Sequence, residues 1–368
     1  MKIMVSGGGT GGHIYPALSL MKYIKEIEPT AEFLYVGTKK GLESKIVPEE
    51  GYDFASVRIQ GLKRSLSFEN FKTAFFMLKS VHDSKKIMKE FKPDVVIGTG
   101  GYVCAPVLYA AAKQGIPTMI HEQNSVAGLT NKFLARYVTK IAICFEDVKK
   151  DFAKYSDKVI MTGNPRGQEV VKTTKNPQQL QELGLNPEKP ILVIFGGSRG
   201  AEKINQTIVD IYQDFADKPY QVVAVTGAGH YDKINKLITE QEKLLPQVHL
   251  FPYIKDMPNL FQFSDVVVCR SGATTLTELT ALGLPSVLIP SPYVTNNHQQ
   301  RNAESLVNGD AALMVLEKDL TKESLMTAIN EVMDHPAKRQ EMTDNAKKLG
   351  IIDANDRLFG IIQSIVKK

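Results

Sequence analysis

Short apolar runs alternate with longer amphipathic stretches along the whole chain. In the first half the runs are Ile3–Ser6, Phe33–Val36, Val95–Gly98, Thr118–His121, Ile141–Ile143 and Val159–Thr162. Helix-like stretches, Pro16–Glu28 and Phe68–Phe91, lie between them. Runs that are apolar at nearly every position predict strands covered on both faces, and strands alternating with helices predict parallel sheets. The pattern restarts at Ile191–Phe195 and continues through Val222–Thr226, Val248–Phe251, Val266–Cys269, Val287–Ile289 and Ala312–Val315. Between the two series, Gly163-Asn164-Pro165-Arg166-Gly167 breaks the rhythm, and a polar stretch with Asn176-Pro177 and Asn186-Pro187 follows. The expectation is two doubly wound α/β domains, residues 1–163 and 164–352, with a C-terminal helix near 353–368 returning to the first. The halves share a grammar without a detectable sequence repeat.

Composition alters this little. The chain has 368 residues, 43% hydrophobic and 23% charged, enough apolar material for two cores. The net formal charge of +5 is too small to imply nucleic-acid binding. Cys104, Cys144 and Cys269 are odd in number and far apart, which argues against a disulfide framework or a zinc site and suits a reducing cytoplasm. No run reaches the roughly 18 apolar residues needed to span a bilayer. The first residues run directly into a strand rather than a secretory leader. Any membrane contact is expected to be peripheral.

The chemistry begins at Ser6-Gly7-Gly8-Gly9-Thr10-Gly11-Gly12-His13, between the first strand and its helix. Gly7, Gly9 and Gly12 fit the spacing of a turn whose backbone amides approach an anion at a helix N-terminus. A nicotinamide cofactor would also require an acid closing the second strand. That strand ends Tyr35-Val36-Gly37-Thr38-Lys39-Lys40, which demotes this reading. A tightly packed turn without ligand is the plain alternative. Two similar turns, Gly98-Thr99-Gly100-Gly101-Tyr102 and Gly196-Gly197-Ser198-Arg199-Gly200-Ala201, also follow strands. Three such turns suggest one interdomain cleft with two phosphate-bearing ligands, a donor and an acceptor.

The ordered set Gly9-Thr10-Gly11-Gly12-His13, His121-Glu122-Gln123-Asn124, Gly163-Asn164-Pro165-Arg166, Gly196-Gly197-Ser198, Ser271-Gly272-Ala273 through Glu278, and Asn297 through Ala303 closely resembles the MurG family of peptidoglycan N-acetylglucosaminyltransferases. The resemblance covers nearly the whole chain. It implies a GT-B fold of two Rossmann-like domains. The implied activity is inverting transfer of N-acetylglucosamine from UDP-GlcNAc to the C4 hydroxyl of undecaprenyl-pyrophosphoryl-MurNAc-pentapeptide (lipid I), giving lipid II.

The same resemblance implies roles for matched positions. Glu278 would hold the donor ribose and Ile254 would read the uracil edge through its backbone. Ala273, Thr274, Thr275 and Leu276, at a helix start, would meet the diphosphate together with Ser198. Gln299 and Gln300 offer amides suited to sugar hydroxyls. Thr10, Gly11, Gly12, Asn124 and Arg166 match donor-side positions, and Arg166 would also offset charge on departing UDP. Gly9, Gly100, Gly101 and Tyr102 are assigned to the acceptor pyrophosphate. His13 is the candidate general base, with Glu122 as rival and His121 read as structural. Arg199 and Thr274 depart from the residues expected there. No tightly bound metal is indicated, and a loosely used magnesium ion is left open.

A lipid-linked acceptor implies a site on the cytoplasmic face of the membrane. The candidate patch is 61–92, with Phe68, Phe71 and Phe75 among Lys72, Lys79, Lys85 and Lys86. Its eight basic residues against three acids give an excess equal to the charge of the whole chain. Aromatics ringed by lysines suit an anionic lipid surface, although an amphipathic helix packed on the sheet would read the same way. The expected partners are therefore UDP-GlcNAc, lipid I, the anionic membrane surface and a cell-wall synthesis complex, without nucleic acid. Two rival readings stand beside this one: a UDP-GlcNAc 2-epimerase on the same scaffold, and a non-catalytic UDP-sugar-binding membrane subunit.

Overall fold

A computed structural model describes residues 1–59, 69–241 and 243–366, with side chains omitted for 69–75. The described chain divides into two compact units, Met1–Gln168 with Asp353–Lys368, and Glu169–Ile352. The division falls beyond the expected Gly163, within the helix Pro165–Lys172.

The first unit is built on β1 (Lys2–Ser6), β2 (Glu32–Gly37), β3 (Asp53–Ser56), β4 (Val95–Gly98), β5 (Thr118–Glu122), β6 (Lys140–Ile143) and β7 (Val159–Met161). They form one parallel sheet in the order β3-β2-β1-β4-β5-β6-β7. Six of these strands lie where the apolar runs predict them. The edge strand β3 does not announce itself, because Asp53-Phe54-Ala55-Ser56 is short and only partly buried.

Strand periodicity sorts the core into two layers. Ile3, Val5 and Met119 face one side with α1 (Gly11–Ile27) and the C-terminal helix Ala354–Val366. Met4, Val96 and Ile120 face the other with α2 (Glu69–Phe91), α3 (Cys104–Lys113) and α4 (Leu129–Leu134). The C-terminal helix inserts Leu358, Phe359 and Ile362 beside Ile14 and Met21. Its start is tied by Gln168, which accepts from Asn355 N–H at 2.7 Å and donates to Asp356 at 2.7 Å.

The second unit holds β8 (Ile191–Phe195), β9 (Gln221–Val225), β10 (Val248–Phe251), β11 (Val266–Cys269), β12 (Ser286–Leu288) and β13 (Ala312–Met314). Their parallel order is β10-β9-β8-β11-β12-β13. In each sheet the order reverses direction at the first strand, between β1 and β4 and between β8 and β11. Ligands of open α/β sheets bind beyond the carboxyl ends of the strands at such a switch.

Candidate active site

In the first unit the loops leaving β1 and β4 are the two glycine turns, and they touch. Gly8 N–H donates to Gly100 O at 3.2 Å. α1 begins at Gly11, well before the expected Pro16, which lies inside the helix. The first-turn amides of a 17-residue helix therefore open directly at the turn, and Thr10 makes no side-chain capping bond to them. This is the end of the helix that favours an anion. Other amides of the turns are already used. Gly9 N–H donates to Glu43 at 3.1 Å, and Gly100 N–H donates to Cys104 Sγ at 3.3 Å. Gly9 and Gly100 thus contribute backbone conformation, with φ of +85° and +115°, rather than ligand-facing N–H groups.

Glu43 was not flagged by the sequence. Its carboxylate is 1% exposed and also accepts from Thr38 N–H at 3.0 Å and Thr38 Oγ1 at 2.7 Å. It ties the end of β2 to the glycine turn.

β5 delivers the His121-Glu122-Gln123-Asn124 motif, and its two-residue period splits the motif. His121 and Gln123 turn toward the α1 side. Gln123 Oε1 lies 3.1 Å from His13 Nδ1, and Gln123 Nε2 lies 2.9 Å from His121 Nδ1. His121 Nε2 lies 2.9 Å from Gly163 O. Burial holds the His121 ring neutral, with its pKa lowered to about 4, and the neighbouring His13 adds to the effect. Glu122 turns to the opposite side. It is 2% exposed and accepts from Asn124 N–H, Gly128 N–H at 2.9 Å and Asn131 Nδ2 at 2.8 Å. Glu122 therefore braces the loop entering α4.

His13 is half-buried, and Gly100 makes room for its ring: a Cβ there would stand 2.6 Å from His13 Nδ1. Thr10, Gly12 and Tyr102 are exposed beside it. Arg166 places its guanidinium over the Tyr15 ring at 6.0 Å. Asn124 is half-buried.

In the second unit the loops after β8 and β11 line a cavity of about 770 Å³. Of the residues expected to hold the donor, Thr275 and Gln299 line it, with Gly196, Gly197 and Gly200 of the turn. Gly200 has φ +76°, and a Cβ there would collide with Thr226 O at 1.9 Å. The helix Ala273–Leu282 opens toward this region at Gly272, again without a side-chain cap. Leu276 N–H already donates to Gly272 O at 3.0 Å, and the Leu276 side chain belongs to the interior. Thr274 Oγ1 is buried with no hydrogen-bond partner among the described residues. Ser198, Ile254, Ala273, Glu278 and Gln300 do not line the cavity wall. Ile254 and Glu278 are 5% and 8% exposed.

Gln299 Oε1 accepts from Ser291 N–H at 2.9 Å, which fixes the amide. Gln300 is engaged by Asn297 at 2.7 Å and by Glu304 at 3.0 Å. Asn296 and Asn297 precede them in left-handed conformation, φ +53° and +52°, which asparagine tolerates better than most residues.

The sequence reading missed the ion pair at the cavity wall. Arg270 pairs with Glu317, and its guanidinium also donates to Ile289 O at 3.0 Å. An arginine directly after a four-residue buried strand, at its carboxyl end, is the available signal. Among the described residues no helix is long and apolar enough to cross a membrane. Phe68 lies outside the described residues, as do the side chains of Phe71, Lys72 and Phe75. Lys79, Lys85 and Lys86 are exposed on α2, and Leu78 beside them is 72% exposed.

Comparison with known proteins places this geometry. Residues 3–143 match the glycosyltransferase family 28 N-terminal domain and residues 191–358 the corresponding C-terminal domain. The chain is 53% identical over 368 residues, all of both chains, to a Bacillus cytotoxicus protein named UDP-N-acetylglucosamine–N-acetylmuramyl-(pentapeptide) pyrophosphoryl-undecaprenol N-acetylglucosamine transferase. It is 52% identical to the protein of the same name from Pediococcus pentosaceus, again over all of both chains. Among solved structures, Acinetobacter baumannii MurG matches with a TM-score of 0.79 at 27% identity, covering 99% of each chain. The Neisseria meningitidis UDP-GlcNAc 2-epimerase matches with a TM-score of 0.69 at 16% identity, covering 99% of this chain and 100% of that one, a likeness of fold alone. The chain belongs to glycosyltransferase family 28, with a GT-B-like fold, and within that family to the MurG group.

Proposed function

We propose that the chain transfers N-acetylglucosamine from UDP-GlcNAc to lipid I, forming lipid II. The observation that carries this is the 53% identity, without truncation of either chain, to a transferase of that name. The epimerase likeness is far weaker in sequence and speaks only of shared architecture.

His13 takes the proton from the C4 hydroxyl of the acceptor as that oxygen attacks the anomeric carbon. The sugar–phosphate bond breaks on the opposite side, inverting the configuration and releasing UDP. A positioned imidazole contributes roughly 10²–10⁴-fold to such a step. The exposed amide end of α1, at Thr10, Gly11 and Gly12, and the side chain of Arg166 supply positive potential for phosphate. Three glycine turns suit two diphosphate ligands better than one. Glu122 is assigned to bracing the loop, since its carboxylate is buried and saturated with donors.

The UDP-GlcNAc site is assigned to the cavity between the β8 turn and the helix Ala273–Leu282. Thr275 and Gln299 line it, and Arg270 and Glu317 shape its wall. Diphosphate at the uncapped start of that helix would meet the amide N–H groups of its first turn.

The membrane-facing surface is assigned to α2 and its neighbours in the first unit. Leu78 and Lys79 project on α2, while Leu129 and Phe133 project from α4. Arg136 and Lys113 flank an aromatic cluster of Tyr109, Phe133 and Tyr137. Exposed apolar groups set among cations suit peripheral binding to anionic lipid.

The test is UDP release from UDP-GlcNAc with and without a short-chain lipid I analogue. Release that requires the analogue supports transfer. Conversion of UDP-GlcNAc to an epimer without acceptor would overturn it.

A further inference from the structure

Four groups of the first unit stand in line: Gly163 O, the His121 ring, the Gln123 amide and the His13 ring. We propose that this line is a relay that fixes the tautomer of His13, with the proton on Nδ1 and the lone pair on Nε2, making His121 and Gln123 positioning residues for the transfer step. The inference rests on His13 being the base.

Each link permits one direction only. A backbone carbonyl cannot donate, so the 2.9 Å contact between Gly163 O and His121 Nε2 requires a proton on that nitrogen. The His121 ring is 2% exposed and, held neutral by burial, keeps its other nitrogen bare. His121 Nδ1 must then accept, and the donor is Gln123 Nε2 at 2.9 Å. A second carbonyl fixes the orientation of that amide independently. Gln123 Nε2 also lies 3.0 Å from His121 O, which accepts only. The amide cannot flip without setting oxygen against oxygen. Gln123 Oε1 is thereby turned to His13 and accepts from Nδ1–H at 3.1 Å. The remaining ring nitrogen, Nε2, carries the lone pair.

Cys144 Sγ, 3.3 Å from His121 Nε2, does not reverse the direction. Burial keeps its thiol protonated, and a proton given by the sulfur to Nε2 would leave Gly163 O, 2.9 Å away, facing a bare nitrogen. Beside the His13 ring, Gly100 carries no Cβ, and Thr99 Oγ1 donates to His13 O at 2.7 Å, holding the backbone from which the ring projects.

The consequence is chemical. An unrestrained neutral histidine prefers its proton on Nε2. In that form Nε2 could not accept the hydroxyl proton. With the relay intact, the acceptor O–H proton passes to Nε2, the new O–C bond forms, and the electrons of the sugar–phosphate bond leave with UDP. The His13 ring becomes an imidazolium whose Nδ1–H still donates to Gln123. A carbonyl-type oxygen in that place orients the ring as the carboxylate of a catalytic triad does, without a second charge.

The test is ¹⁵N spectroscopy of the full chain with labelled histidine, His13 being identified by the signals lost in His13→Asn. Wild type should show neutral His13 protonated at Nδ1 and bare at Nε2. Gln123→Leu should move the His13 proton toward Nε2 and lower kcat by about 10-fold or more, within the range of base catalysis, with KM for UDP-GlcNAc unchanged. A wild-type His13 carrying its proton on Nε2, or a Gln123→Leu spectrum identical to wild type, would overturn the relay. The wild-type spectrum gives its answer whether or not Gln123→Leu folds. If His13→Asn keeps full turnover, the base assignment itself fails, which is a different result from a wrong tautomer.

Discussion

Gly100→Ala is the sharpest probe of how the glycine turns serve catalysis. The new Cβ would stand 2.6 Å from His13 Nδ1 and 2.7 Å from Cε1. Non-bonded heavy atoms rest at about 3.5–4.0 Å, so the imidazole must retreat by roughly 1 Å. That movement takes His13 Nδ1 out of its 3.1 Å contact geometry with Gln123. The backbone at φ +115° is also closed to alanine at low cost, a strain of about 1–3 kcal/mol. A displacement of 1 Å at a reacting group costs on the order of 10²-fold in rate. The expected variant is folded, somewhat less stable, and about 100-fold slower in kcat for sugar transfer. Its affinity for UDP, measured by calorimetry, stays at the wild-type value because the β8 turn lies in the other unit. A kcat within about 3-fold of wild type, in a variant whose unfolding shows the expected strain, would refute the reasoning that His13 must sit where Gly100 allows it.

Other expectations follow from single groups. Glu43→Gln sets an amide N–H against Gly9 N–H or a Thr38 donor; the lost buried bond costs about 1–3 kcal/mol in denaturant unfolding, and KM for the lipid I analogue rises while UDP affinity holds. Glu122→Gln similarly costs about 1–3 kcal/mol, and its turnover falls only in step with the folded fraction; a folded but inactive variant would return the base role to Glu122. His121 ties stability to pH. Its pKa is about 4 when folded against the ordinary 6.5 of a solvated histidine, so the unfolded chain binds the extra proton between those values. The contribution, about 3 kcal/mol at 1.36 kcal/mol per unit, is complete above about pH 6.5 and lost as pH falls through 4. His121→Gln should flatten that part of the unfolding profile. Reversing Lys79, Lys85 and Lys86 to Glu should weaken sedimentation with anionic vesicles and leave transfer to a short-chain analogue unchanged.

How much of this was legible in the sequence depended on distance along the chain. Core strands such as β4, Val95–Gly98, are apolar at each side-chain position and buried on both faces, so the run alone reveals them. β3 has one short, half-buried segment at the sheet edge and no such run. The start of α1 was hidden because glycine reads against helix. Gly11 and Gly12 sit at the helix entrance, and the proline that suggested a beginning lies inside. The motif His121-Glu122-Gln123-Asn124 stands out in the sequence, but its division depends on its place at a strand end, where a period of two sends Glu122 away from His121 and Gln123. Glu43, 34 residues from Gly9, and Gln123, 110 residues from His13, act through contacts made only by the fold. The Arg270–Glu317 pair, 47 residues apart, is of the same kind.

The central claim is tested most directly by the product. Purified chain incubated with UDP-GlcNAc and a short-chain lipid I analogue should yield an acceptor carrying N-acetylglucosamine on the C4 oxygen of its muramoyl sugar. Its linkage, read by NMR, should have the β configuration, inverted from the α-linked donor, and His13→Ala should abolish most of the yield. An unmodified acceptor, or a product with retained α configuration, would contradict the account.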